Sequence, residues 1–158
     1  MKSELPDEAA TRGLAAAVAG VLPVDIGGWT VVLRGELGAG KSTFARALLR
    51  ALGHQGPVPS PNYSLVEPYV TAKGVIYHID LYRVSSEGEL RYLGWNELDD
   101  GLRLVEWPER VAGLEDRADL QIELAYHGSG RVVEILANSA RGRRLVSDLA
   151  SSGSEIQD

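Results

Sequence analysis

The chain has no cysteine, which excludes disulfides, thiolate metal sites and a cysteine nucleophile, and leaves oxygen and histidine as ligands for any metal. It also lacks a run of about twenty apolar residues, the length a helix needs to cross a bilayer. The start Met1-Lys2-Ser3-Glu4-Leu5-Pro6 does not have the basic-then-apolar layout of a secretion signal. A cytoplasmic protein with no membrane partner is the expectation. Basic charge is in short supply: 16 Lys and Arg stand against 22 Asp and Glu, for a net charge of −6. The field of the whole molecule therefore repels nucleic acid phosphates, and direct tight RNA binding is disfavoured. The short run Arg141-Gly142-Arg143-Arg144 is a local exception, read first as a solvated helix face. Neither internal repeats nor a linker can be seen. The 158 residues, 44% of them hydrophobic, suit a single domain over residues 1–150 with a flexible polar tail at 151–158.

What is present is a loop of small residues in a telling position. Gly35-Glu36-Leu37-Gly38-Ala39-Gly40-Lys41-Ser42 matches the phosphate-binding pattern G-x-x-x-x-G-K-[ST] in full. It follows the β-branched run Thr30-Val31-Val32-Leu33-Arg34 and precedes Phe44 to Leu52, a helix-forming stretch ended by Gly53. A loop placed between strand and helix turns backbone N–H groups toward a polyphosphate, and its glycines permit the close approach. Gly38, Ala39 and Gly40 would line the cradle, Lys41 would reach the β- and γ-phosphates, and Ser42 would offer a hydroxyl to Mg²⁺. Thr43 could add a hydroxyl near the α-phosphate.

Around that loop the pattern is mixed. Apolar residues at Ala10, Leu14, Ala17, Val18 and Val21 recur at helical spacing after Asp7 and Glu8. Pro57, Pro59 and Pro61 mark an ordered loop. Strand-like runs at 64–70 and 74–81 read as one hairpin, and 118–126 with 131–136 as a second. Short helices are expected at 85–93 and 95–98, a buried strand at 102–105 with Arg103 marking an exposed end, and a last helix at 140–150. The fold class implied is α/β: a P-loop NTPase-like three-layer sandwich with a mixed, mainly parallel central sheet and added hairpins.

Phosphoryl transfer also needs an acid for the metal and a group that orients the attacking oxygen. Asp80 closes Val75-Ile76-Tyr77-His78-Ile79-Asp80 and Glu106 closes Leu102-Arg103-Leu104-Val105-Glu106. Ligands of open α/β sheets gather at such carboxyl ends. Glu106 is the stronger metal candidate, since an apolar strand running into an acid resembles a Walker B segment. Asp80 could bind metal through water or position a nucleophile. His78 could join a proton relay or lie on a packed or solvent-facing surface. Trp107 reads as packing beside the site, and Arg83 and Arg131 as cations near phosphate or base.

Four separated segments then resemble one family: the loop from Gly35 to Thr43, Ser60-Pro61-Asn62-Tyr63-Ser64-Leu65-Val66, His78-Ile79-Asp80-Leu81-Tyr82-Arg83, and Leu104-Val105-Glu106-Trp107-Pro108-Glu109. Together they are similar to TsaE (YjeE), the bacterial P-loop ATPase of tRNA threonylcarbamoyladenosine biosynthesis. The resemblance implies ATP in the P-loop, Mg²⁺ on Ser42 and Glu106, Asp80 needed for hydrolysis, and Thr11 near the adenine; with Lys41 from the loop itself, the catalytic candidates are Asp80, Glu106 and Lys41. It also implies a switch role for the Ser60-Pro61 loop, where this chain has Pro59 and Asn62 in place of the family's usual threonines. TsaB and TsaD homologues would be the partners, with tRNA reached indirectly through their complex. Two other functions fit the motifs. One is a small kinase with Asp80 as base, although no arginine-rich lid is evident. The other is a nucleotide-gated binding module with little turnover, for adenine rather than guanine because no N-K-x-D string occurs.

Overall fold

The computed structural model describes residues 1–59 and 65–157; the expected switch segment, Ser60 to Ser64, lies outside them. Asp7 starts the first helix, α1 (Glu8–Val21), by accepting the amide of Ala10 at 2.8 Å on Oδ1, which satisfies one of the donors that a helix start leaves open. Thr11, Ala15, Val18 and Ala19 form its buried face. At its end Leu22 is extended ahead of Pro23, and Lys73 Nζ donates to the carbonyls of Ala19 and Leu22. The next helix, α2 (Lys41–Ala51), buries Phe44, Ala45, Leu48 and Leu49 against the same core.

The strands are β1 (Lys2–Leu5), β2 (Thr30–Arg34), β3 (Val66–Thr71), β4 (Gly74–Asp80), β5 (Leu102–Glu106), β6 (Leu120–His127) and β7 (Gly130–Ala137). They join in one sheet in the order β1-β7-β6-β2-β5-β4-β3. The inner strands β6, β2, β5 and β4 are parallel to one another, and the outer pairings are antiparallel, so the sheet is mixed as the hairpins required. Pro68, exposed on the edge strand β3, lacks a ladder donor and discourages further pairing. β1 escapes a reading by periodicity because only Leu5 of its four residues is buried.

Alternation along β2 divides the core. Val31 and Leu33 pack with α1, α2 and the last helix, α5 (Ala140–Gln157), whereas Val32 joins Ile79, Val105, Leu90 and Leu114. Leu90 and Leu114 belong to the short helices α3 (Glu87–Tyr92) and α4 (Leu114–Arg117), and Trp95 and Leu98 of a 3-10 turn pack beside them. The sheet is thus covered on both faces. Among the described residues no helix is long and apolar enough to cross a membrane. Two expectations need correction. Arg103 is buried rather than exposed: its guanidinium lies 4.7 Å from the Trp95 ring centroid and donates to the Trp95 carbonyl at 2.8 Å, so the aliphatic stem packs while the charge finds partners. The last helix also continues past Ala150 to Gln157, no proline being present to stop it.

Asp119 ties α5 to the start of β2. Its carboxylate accepts Arg141 Nε at 2.8 Å and Nη2 at 2.9 Å, Ser139 Oγ at 2.6 Å and the Thr30 amide at 2.9 Å. Burial alone would raise its pKa, but these hydrogen bonds and the Arg141 charge outweigh it and hold the group below the ordinary carboxylate value. The stability it contributes is therefore complete above the unfolded value of about 3.9 and is lost as pH falls through the depressed folded value. Asp119→Asn should cost about 2 kcal/mol near neutral pH, a figure reduced for the half-exposed arginine. Denaturant titrations should show the gap between variant and wild type narrowing as pH falls through the depressed folded value of Asp119; a gap independent of pH throughout the acid range would refute the assignment.

Candidate functional site

The carboxyl ends of β2, β4 and β5 meet beneath the start of α2. Gly40 caps that helix at φ 109° with no side-chain bond to its first turn, which leaves the first amides open to an anion. A β-carbon at Gly38, where φ is 82°, would meet Tyr126 Oη at 2.5 Å, so a larger residue there would strain the backbone and displace the tyrosine hydroxyl from the loop. Tyr126 Oη donates to the Leu37 carbonyl at 3.0 Å and Arg131 Nη2 to the Gly38 carbonyl at 3.1 Å, with the Arg131 guanidinium 4.3 Å from the Tyr126 ring centroid. The β6–β7 hairpin thus pins the outer bend of the loop. Arg131, expected as a cation near phosphate or base, bonds the loop backbone itself.

Lys41 is buried, and its Nζ donates to the Gly35 carbonyl and sits 3.5 Å from the Trp107 ring centroid. Burial lowers its pKa, and the charges of Glu106, Glu109 and Asp80 only partly restore it. Trp107, at the turn into Pro108, has the left-handed conformation φ 60°, ψ 48°, which costs a bulky residue about 1–3 kcal/mol. In return the indole covers Lys41 and packs edge-on against Tyr82, with ring centroids 5.2 Å apart. Sequence reading gave Trp107 a packing role. Its contact with the lysine was not legible, because no local pattern signals that a tryptophan before proline turns back over a helix.

Asp80 and Glu106 are register partners across the parallel β4–β5 pair, so both stand at the same level on one face. Asp80 Oδ1 accepts the Tyr82 amide at 2.8 Å. Burial raises the Asp80 pKa and Glu106 adds to the rise; the Tyr82 amide, His78 and Lys41 oppose it without cancelling it. Glu106 Oε1 lies 3.3 Å from Ser42 Oγ, and Oε2 lies 2.6 Å from His78 Nε2. Lys41, Ser42, Asp80 and Glu106 are therefore brought together. Thr11 occupies the buried face of α1, Thr43 is half-buried in the first turn of α2, and Arg83 is exposed.

The donor set suits a hard divalent cation. Among the described residues there is no cluster of three or more His, Cys, Asp or Glu side chains able to hold a metal alone. Mg²⁺ does not need one, because it keeps several waters and uses one or two protein oxygens together with substrate phosphate. A serine hydroxyl facing a carboxylate at the end of a phosphate-type loop fits that requirement.

A strand, a glycine loop and a helix with two acids on neighbouring strand ends define a P-loop NTPase-like α/β protein. The family model described as "Threonylcarbamoyl adenosine biosynthesis protein TsaE" matches residues 5–133; the chain belongs to the TsaE family. It is 40% identical over 119 residues to the tRNA threonylcarbamoyladenosine biosynthesis protein TsaE of Haemophilus influenzae, covering 74% of this chain and 75% of that one. The Rickettsia felis protein of the same description is 36% identical over 140 residues, covering 86% and 80%. The crystal structure of Bacillus subtilis YdiB superposes with a TM-score of 0.76 at 25% identity, over 97% of this chain and 95% of that one.

Proposed function

We propose that this chain is a Mg²⁺-dependent ATP-binding protein and ATPase that drives turnover of a TsaB–TsaD complex in threonylcarbamoyladenosine modification of tRNA. The observation that carries the reading is the convergence of Lys41, Ser42, Asp80 and Glu106 on the start of α2, in a chain of the TsaE family.

The loop amides and the first turn of α2 would bind the triphosphate, and Lys41 would exchange the Gly35 carbonyl and the indole for β- and γ-phosphate oxygens. Ser42 and Glu106 would hold Mg²⁺, whose positive charge would offset that of the triphosphate. Asp80, with Oδ1 fixed by the Tyr82 amide, would orient the attacking water through its other oxygen. The raised pKa of Asp80 suits a carboxylate near water and a neighbouring acid. The net negative charge of the chain favours action on tRNA through partner proteins over direct contact.

The test is phosphate release by the purified chain, alone and with the TsaB and TsaD homologues and tRNA. ATP-dependent release that rises when the partners are added is expected. Protein that binds no adenine nucleotide and does not associate with those partners would overturn the proposal. Phosphorylated products from a screen of nucleosides and sugars would favour a kinase in its place.

A further inference from the structure

Alternation along β4 puts Ile76, His78 and Asp80 on one face, the face that meets α2. His78 is only 2% exposed, and its register partner on β5 is Leu104, one pleat below the Asp80–Glu106 pair. The two oxygens of Glu106 have different neighbours: Oε2 is 2.6 Å from His78 Nε2 and Oε1 is 3.3 Å from Ser42 Oγ. Among the described residues His78 Nδ1 has no hydrogen-bond partner. With the ring hydrogen on Nε2, no N–H of the buried imidazole is left without an acceptor.

We infer that His78 is a positioning residue for Glu106: its Nε2–H fixes Oε2 and thereby leaves Oε1 turned toward Ser42 and the magnesium position. The inference rests on the reading that Ser42 and Glu106 hold the metal, and adds the residue that aims the carboxylate. A carboxylate 3% exposed needs hydrogen-bond donors for its oxygens. Without the imidazole, Oε2 would compete for Lys41 or Ser42 and the metal-facing geometry would be lost. Partners one layer removed from a metal ligand change metal affinity by about 10- to 100-fold.

The experiment compares His78→Gln with His78→Asn. The Gln amide nitrogen reaches about as far as Nε2, whereas the Asn nitrogen is one carbon short, and both variants keep a polar amide in the strand. Affinity for a non-hydrolysable ATP analogue is measured by calorimetry in Mg²⁺ and in chelator. His78→Asn should lose about tenfold or more of the magnesium-dependent gain with its affinity in chelator unchanged, and His78→Gln should keep most of the gain. The inference is overturned if His78→Asn retains the gain, if both variants lose it equally, or if affinity in chelator falls in parallel. Wild-type protein that binds no analogue, or shows no magnesium gain, would instead remove the underlying ATP and metal reading, and this inference with it.

Discussion

Lys41→Ala should lower ATP affinity and ATP turnover by about a hundredfold. The ammonium group is the cation nearest the expected β- and γ-phosphates, and charge-assisted hydrogen bonds contribute about 1.5–3 kcal/mol each, so the loss of one or two accounts for a factor of that order. The site is built around this charge. Burial draws its pKa down while three carboxylates, Glu106, Glu109 and Asp80, pull it back, and the Trp107 ring lies over Nζ at 3.5 Å as a further cation-stabilising contact. The group is already largely stripped of water before any nucleotide arrives, which makes its interaction with phosphate stronger than that of a surface lysine. Lys41→Arg should not rescue, because the longer planar guanidinium matches neither the short reach from the first turn of α2 nor the indole seat. Nucleotide titration and phosphate release, with a thermal melt to show that the variant is folded, measure the effect. Hydrolysis unchanged in a folded Lys41→Ala protein would refute the site.

Much of this geometry follows from short-range pattern. The strand, glycine loop and helix are contiguous, so their order in the chain is their order in space, and a single stretch from Thr30 to Leu52 carries the information. Asp80 and Glu106 were placed by a rule about strand ends, and the parallel pairing of β4 with β5 sets them opposite one another. The contacts that escaped sequence reading join positions far apart in the chain. Tyr126 reaches Leu37, Arg131 reaches Gly38, and Trp107 covers Lys41, and no local periodicity encodes such pairs. His78 could be read as a relay, packed or solvent-facing residue because alternation fixes a face but not the neighbour on it. Arg103 is a related case: its charge suggests solvent, yet the Trp95 ring and carbonyl provide a buried alternative. β1 remained invisible because three of its four residues face water and its pairing with β7 depends on a strand more than a hundred residues away.

Glu106→Gln should reduce ATP hydrolysis by about 100- to 1000-fold, the scale seen when one preorganised charge-stabilising group is removed, while nucleotide affinity in chelator stays nearly intact and the magnesium-dependent gain falls. The amide has the shape of the carboxylate, can still accept a hydrogen bond from His78 or Ser42, and leaves the loop amides and Lys41 in place. What it lacks is the negative charge that suits a magnesium ligand. Unfolding should not account for the loss. In the wild type Asp80 is pushed up first by burial and then by the facing Glu106 charge, so neutralising Glu106 relieves a repulsion between two buried acids, and the melting temperature should hold or rise. In a reaction with the TsaB and TsaD homologues, tRNA and ATP, an ATPase-driven cycle should stall after the first turnovers, with the variant bound to unhydrolysed nucleotide. A protein that acts only by sensing bound ATP should instead support the partners at the wild-type rate. Time courses of modified tRNA, run beside phosphate release, separate the two: continued modification without hydrolysis would keep the nucleotide site and remove the ATPase from the proposed function.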